Sequence, residues 1–284
     1  MTATTKNRLK VEPIAASLGA EIGGVDLSQD LDDDVIAEIR QALLDHLVIF
    51  FHDQDITPEQ QLAFARRFGT LNLHDQVKGM DDYPEMIEVR KEPEDERNFG
   101  GAWHGDVTYL EEPPLGSILY ALEVPPVGGD TLWSNQYLAF ETLSDGMRAM
   151  LEPLTMIHTP AKIYGLYSQD WSKDSSVKSS PNTTAEYETE HPLIRTHPET
   201  GRKLLFVSGL FTPRFMDMTE EESKPLIDFL MRQATREEFT CRYRWKAGDI
   251  AFWDNRATLH YALNDYTGHR RVMHRVAING DRPF

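Results

Sequence analysis

His104 and Asp106 stand two residues apart in Ala102-Trp103-His104-Gly105-Asp106. On a strand, positions i and i+2 face the same way, about 6.6 Å apart, so two such side chains can bite one ion. The pair is common, and alone it fits an exposed turn with a capping aspartate equally well. A third group raises its meaning. Trp253-Asp254-Asn255-Arg256-Ala257-Thr258-Leu259-His260 carries a distant histidine. His104, Asp106 and His260 together make two imidazoles and one carboxylate. That facial set leaves three adjacent positions on Fe(II) for a co-substrate and dioxygen. The residual positive charge at such an iron favours an anionic chelator. Zinc tolerates the same three ligands, so a zinc hydrolase stays open on the ligands alone. A non-catalytic jelly-roll binding protein predicts the loss of at least one ligand, yet all three are present.

Arg271 separates the readings. A 2-oxoacid chelating iron through its keto and carboxylate oxygens leaves a distal carboxylate, and arginine offers it a two-pronged partner. A hydrolase has no use for that anchor. Arg275 follows four residues later, on the same strand face and about 13 Å further along. The two arginines then point inward and bind two different anions. The plain alternative for Arg270-Arg271 and Arg275 in an acidic chain is surface ion pairing. Most of the other histidines read as structural: His46 and His52 flank an apolar run, and His191 and His197 each precede a proline.

The elements that must position these residues are legible in part. Ile36, Ile39 and Leu43 recur at helical spacing behind the acidic run Asp32–Asp34. Leu47–Phe51 reads as a buried strand. Thr57-Pro58-Glu59-Gln60 has the form of a capping box, with Gly69 as the expected C-cap. Thr219 to Glu222 is a second capping box, opening a helix through Leu230. Phe239, Cys241, Tyr243 and Trp245 alternate with polar residues, as a half-buried strand does. Lys246–Asp249 is a turn, Ile250–Trp253 the next strand, and Arg271 to Ile278 alternates again. Many short strands with a few helices predict a mainly β fold, a double-stranded β-helix (jelly roll) with helices packed outside. Gly165 to Glu190 is polar and aperiodic, either an active-site lid or a surface insertion.

Composition narrows the partners. The chain has 284 residues, 40% hydrophobic and 26% charged, with 29 basic and 46 acidic side chains for a net charge of −17. That balance speaks against a nucleic-acid or anionic-membrane surface. The single cysteine, Cys241, excludes a disulfide framework and suits a reducing compartment. No signal peptide or membrane span is expected, which points to the cytoplasm. A loose tail over residues 1–10 and one domain over 11–284 complete the expectation.

Trp103-His104-Gly105-Asp106-Val107-Thr108, Gly128-Gly129-Asp130-Thr131 and the span from Trp253 to Arg275 together resemble the taurine dioxygenase family. Relatives of that family include alkylsulfatase and phenoxyalkanoate dioxygenases. The resemblance runs from about Val11 to Pro283. It implies a jelly-roll oxidoreductase with Fe(II) at His104, Asp106 and His260. It further implies 2-oxoglutarate as co-substrate, anchored at Arg271 with a hydroxyl contact from Thr131. Dioxygen is consumed, and succinate and carbon dioxide are released. A dimer or tetramer is also implied. Related halogenases lack the carboxylate ligand, so Asp106 implies hydroxylation rather than chlorination.

Arg275 and His74 resemble the positions that grip the substrate's anionic head. Val77 and Gly100 stand where taurine enzymes carry a Tyr and an Asn. Losing those polar contacts disfavours a small zwitterion and makes room. The expected substrate is an alkylsulfonate or alkyl sulfate, larger and more apolar than taurine. Hydroxylation next to the heteroatom gives an unstable adduct that collapses to an aldehyde plus sulfite or sulfate. A phenoxyalkanoate or a biosynthetic C–H hydroxylation is the alternative within the family. Ile163, Tyr164, Tyr167 and Phe211 are the further pocket candidates.

Overall fold

A computed structural model describes residues 9–165, 177 and 186–284. Lys10–Pro13 (β1), Ala20–Gly23 (β2), Val48–Phe51 (β3), Met86–Lys91 (β4), Gly116–Glu123 (β5), Ile250–Asp254 (β13) and Arg271–Ile278 (β15) form a seven-stranded sheet. Its order is β1-β2-β3-β13-β5-β15-β4. Only the β2–β3 pairing is parallel. Facing it, Thr131–Asn135 (β6), Thr240–Tyr243 (β12) and Thr258–Ala262 (β14) form a second sheet, β12-β6-β14. Thr155–His158 (β7), Thr189–Pro192 (β8) and Arg214–Phe215 (β11) make a third small sheet, and Ile194–Thr196 (β9) pairs with Lys203–Leu205 (β10). This is the expected mainly β jelly roll with flanking helices.

The unbroken apolar run of β3 now has a cause: both of its faces are buried. Val48 and Phe50 point between the two sheets, into a cluster with Trp133, Tyr243, Trp253 and Met273. Ile49 and Phe51 point the other way, under the helices Asp33–His46 (α1) and Pro58–Arg66 (α2). The two-residue period of a strand splits one tetrapeptide between two cores. Inside, Phe50 packs against Trp133 (5.4 Å between centroids), and Trp133 against Trp253 (5.9 Å). Such pairs add about 0.5–1.5 kcal/mol each beyond area burial. The outer face of the small sheet is covered by Gln136–Glu141 (α3), Asp145–Leu151 (α4) and Glu220–Ala234 (α5), around Leu259, Phe140 and Leu230.

Both capping boxes are present, with Thr57 and Gln60 bonding reciprocally at α2 and Thr219 and Glu222 at α5. Gly69 does not cap α2. That helix ends at Arg66, and Arg67 closes it in the right-handed region. Gly69 is small for a packing reason, since a Cβ there would come within 2.9 Å of Ile278 Cγ2. Of the expected tail, residues 1–8 lie outside the described residues, while Leu9 is buried and Lys10 opens β1. Most of 165–190, including Tyr167, lies outside the described residues. At its end, Thr189 and Glu190 belong to β8 rather than to a loop.

The turn from β13 to β14 is built on buried charge. Asp254 accepts from Arg256 Nε (2.9 Å) and Nη2 (2.7 Å), and pairs with His197 Nε2 (3.0 Å). Arg256 Nη1 continues to Glu199 at 2.8 Å. Burial would raise the Asp254 pKa, but the Arg256 cation and the His197 bond hold it below the usual carboxylate range. Removing one partner of a buried pair strands the other. Asp254→Ala is therefore expected to cost about 3–5 kcal/mol of unfolding free energy, read from urea denaturation. A loss comparable to that of a surface substitution would show that the pair does not hold the turn.

Candidate active site

His104 and Asp106 do not lie on one strand. His104 forms an isolated bridge to His260, with His104 N–H to His260 O at 3.0 Å and His260 N–H to His104 O at 2.8 Å. The chain then turns, and Val107 takes φ 40° immediately after Asp106. A β-branched residue in that region is strained by roughly 1–3 kcal/mol, a cost characteristic of functional sites. The turn aims Asp106 back at both imidazoles. Asp106 Oδ1 lies 3.9 Å from His104 Nε2 and 3.7 Å from His260 Nε2. One ligand atom from each of the three residues falls within a mutual 4.8 Å, and all three are buried. Among the described residues this is the one group of three or more His, Cys, Asp or Glu side chains so arranged.

The donor chemistry suits a divalent metal. His104 Nδ1 meets the Ala102 carbonyl at 2.7 Å, so the ring proton sits there and Nε2 keeps its lone pair for the centre. His260 lacks such a partner on Nδ1, and its ring is set by the backbone bridge and by Trp253, 5.0 Å away. Burial lowers the pKa of His104 and lowers that of His260 to about 3, where a proton on both neighbouring rings would add repulsion. Burial would raise Asp106, but the Arg275 cation and both imidazoles outweigh it and hold the carboxyl below its usual range. The site thus presents one carboxylate and two neutral imidazoles at neutral pH.

Two residues that no sequence motif marks as ligands hold Asp106. Ser117 Oγ donates to Asp106 Oδ2 at 2.8 Å. Asn255 clamps the backbone, accepting from Asp106 N–H (2.7 Å) and donating to its carbonyl (3.0 Å). Asn255 lies inside the motif that delivers His260, and that proximity was the available signal. Nothing local marks Ser117.

Arg271 and Arg275 do share the inward face of β15, with Met273 between them, while Val276 and Ile278 belong to the helix-side core. Arg271 is 5% exposed, and its Nε and Nη2 have no hydrogen-bond partner. Arg271 lines a narrow cavity of about 40 Å³, together with Thr131, Trp133, His104 and His260. Thr131 Oγ1 accepts from Trp245 Nε1 at 2.9 Å, which leaves its own proton to donate. Gly129 must be glycine here. Its φ is 71°, and a Cβ would press on Tyr266 (3.3 Å) and on Arg271 Cδ (3.4 Å).

A larger cavity of about 350 Å³ adjoins the triad at His104 and Asp106 and shares His104, Phe99, Gly100 and Arg275 with the first. His74, Tyr164, Phe211 and Ile163 line it, with Val107 and Leu210 between them and Arg97 and Asn264 at its exposed edge. Arg275 Nη1 donates to Asp106 Oδ1 at 2.7 Å, and its guanidinium stacks on Phe99 at 5.4 Å. His74 Nδ1 accepts from the N–H groups of Gln76 and Val77, both at 3.1 Å. Its ring proton therefore sits on Nε2. Burial and the Arg275 charge lower its pKa to about 4.

Val77 is not gathered with them. Its side chain is 1% exposed in the core with Ile87 and Val89, and its backbone N–H is what it gives to the site. Gly100 does more than make room. Its φ is 79°, and a Cβ would stand 3.2 Å from His104 Cε1, so any side chain there would push a triad ring.

The histidines set a pH dependence. His74, His104 and His260 are neutral when folded and titrate near 6.5 when unfolded. The unfolded chain therefore binds more protons below pH 6.5. Stability is full above that value and is lost as pH falls toward 4. The metal-free protein is expected to keep a constant Tm between pH 7 and 8 and to lose several degrees by pH 5.5. A Tm flat down to pH 5 would mean that these rings are not buried neutral.

Comparison with known proteins agrees with this geometry. Residues 10–277 match the model of the family described as taurine catabolism dioxygenase TauD, TfdA family. An alpha-ketoglutarate-dependent sulfate ester dioxygenase of Pseudomonas putida is 37% identical over 284 residues, covering 99% of this chain and 93% of that protein. An alkylsulfatase of Acinetobacter baylyi is 35% identical over 276 residues, covering 96% and 86%. The crystal structure of a taurine dioxygenase from Burkholderia xenovorans superposes with a TM-score of 0.81 at 39% identity, covering 97% of this chain and 92% of that one. With the buried His-Asp-His cluster in place on a jelly roll, the conclusion is that this chain belongs to the TauD/TfdA dioxygenase family.

Proposed function

We propose that the protein is an Fe(II)- and 2-oxoglutarate-dependent dioxygenase. It hydroxylates a small organic anion of alkyl sulfate or alkylsulfonate type, with an apolar part larger than that of taurine. One observation carries the cofactor reading: a buried guanidinium with two unpartnered donors, beside the triad and in a cavity it shares with Thr131. A buried cation without a partner is costly unless a ligand supplies one. That anchor is also what sets the zinc-hydrolase reading aside.

His104, Asp106 and His260 would hold the iron, and Arg271 and Thr131 the distal carboxylate of 2-oxoglutarate. With dioxygen, the iron and co-substrate supply the oxidative decarboxylation to succinate and carbon dioxide that drives hydroxylation. The chain's own groups do the rest. His74 offers a neutral Nε2–H, and Arg275 its guanidinium, to the substrate's anionic head. Phe99, Val107, Leu210 and Phe211 give the remainder an apolar wall and keep water from the reacting carbon. Arg275 bonded to Asp106 ties the anion site directly to a metal ligand.

The aromatic walls Phe99, Tyr164 and Phe211 favour a second reading, an aryloxyalkanoate substrate. A panel of alkyl sulfates, alkylsulfonates and phenoxyalkanoates, scored by succinate and the cleaved product, separates the two. Sulfate or sulfite release supports the first reading, and phenol release the second. Turnover of taurine in preference to all of them would contradict both. Arg275→Ala is expected to lower substrate-driven turnover at least 100-fold, while 2-oxoglutarate consumption without substrate falls less than tenfold. Unchanged substrate kinetics would remove Arg275 from the anion site. One catalytic domain over 11–284, a homo-oligomer and a cytoplasmic setting belong to the same proposal. The single cysteine, Cys241, suits a reducing setting, and the family match over residues 10–277 supports the single domain.

A further inference from the structure

His74 reaches the cavity from a loop, and a loop that must aim one N–H needs an external tether. Asp75 supplies one. Its Oδ1 accepts from the Tyr109 hydroxyl at 2.9 Å and its Oδ2 from the Tyr187 hydroxyl at 2.7 Å. Gln76 Nε2 adds a third donor at 2.9 Å. The tyrosines lie 34 and 112 residues away along the chain. Tyr109 is fully buried and packs edge-on against Phe211 (5.0 Å) and Tyr164 (6.3 Å), two walls of the large cavity. Hydrogen bonds to an ionised group are roughly twice as strong as neutral ones, so three of them fix the carboxylate firmly. The Gln76 and Val77 amides, just beyond Asp75, both converge on His74 Nδ1, so the shape of this turn sets the ring's tautomer.

We propose that Asp75 is a positioning residue for substrate binding: by clasping Tyr109 and Tyr187 it holds the turn that keeps His74 in its Nε2–H tautomer, with that N–H offered to the substrate's anionic head. Asp75 stands behind the ring, 3.6 Å from Nδ1, and acts through His74. The proposal rests on the reading of His74 as a substrate contact.

The test uses the protein loaded with Zn(II), a diamagnetic stand-in for iron, and 2-oxoglutarate, with ¹⁵N-labelled histidine and hexyl sulfate as the probe anion. In the wild type, the His74 nitrogens are expected to report a single Nε2–H tautomer. Asp75→Ala is expected to mix the tautomers and to raise the Kd for hexyl sulfate about tenfold, the worth of one hydrogen bond to a charged group. His74→Ala is expected to weaken binding to a similar degree, and the double variant no further. That non-additivity is what action through His74 requires. An unchanged tautomer and Kd in Asp75→Ala, or additive losses, would overturn the proposal while leaving the reading of His74 intact. Normal binding in His74→Ala, or no binding by the wild type, would overturn that reading and the proposal with it. Should Asp75→Ala fail to fold, Tyr187→Phe must shift both readouts in the same direction by a smaller amount, and no shift there overturns the clasp.

Discussion

Arg271→Met is expected to raise the 2-oxoglutarate concentration for half-maximal turnover by roughly 30- to 1,000-fold, the equivalent of about 2–4 kcal/mol for losing one partner of a desolvated charge pair. The size follows from burial. The guanidinium is 5% exposed, its Nε and Nη2 have no partner, and no carboxylate lies within ion-pairing distance of it among the described residues. Burial lowers its pKa, with only Tyr266 and Asp130 pulling the other way. The same substitution is expected to leave the ligand-free protein as stable or more so, because an apolar side chain replaces a buried unpaired cation. Function and stability move in opposite directions only if the ligand, rather than the fold, needs the charge. Arg271→Lys keeps the charge but loses the fork, and belongs between the two. Titrations of 2-oxoglutarate beside melting curves of the ligand-free proteins check this. A large loss of stability in Arg271→Met would make the residue structural.

Asp106→Ala is expected to remove iron-dependent turnover by at least 1,000-fold, and its stability effect has the opposite sign. Asp106 is the partner of buried Arg275 at 2.7 Å, so deleting it strands a cation and costs about 3–5 kcal/mol. It also removes the group that meets both imidazoles within 4 Å. Iron content after loading, together with urea denaturation, reads the two effects separately. Turnover above about 0.1 per cent of wild type would mean that another group supplies the carboxylate ligand. Asp106→Asn keeps the shape and the Ser117 contact, and tests charge alone.

What the sequence made legible was local or periodic. Capping boxes need four residues, and both were found where the helices begin. The alternation of β12 and β15 put Cys241, Tyr243, Arg271 and Arg275 on inward faces. The triad was legible as residue types, but not as geometry. An i, i+2 strand relation was expected, whereas a bridge and a strained turn do the aiming. Position in a motif places Val77 in the pocket. A loop residue's side chain follows packing, and here packing turned it into the core. Ser117, Asn255 and the Asp75 clasp depend on contacts 11 to 149 residues apart that no short pattern encodes. Gly69 failed as a cap because a glycine can be required by the room it leaves as well as by its φ.

The most direct test of the central claim is an anaerobic titration of the metal-free protein with Fe(II) and then 2-oxoglutarate, followed by visible absorption. A chelate on iron held by His104, Asp106 and His260 and anchored at Arg271 predicts a charge-transfer band. It should saturate at one equivalent of each component, and Arg271→Met should need far more 2-oxoglutarate to reach it. A folded, iron-loaded wild type that shows no band on adding 2-oxoglutarate would contradict the account and return the zinc-hydrolase reading to the front.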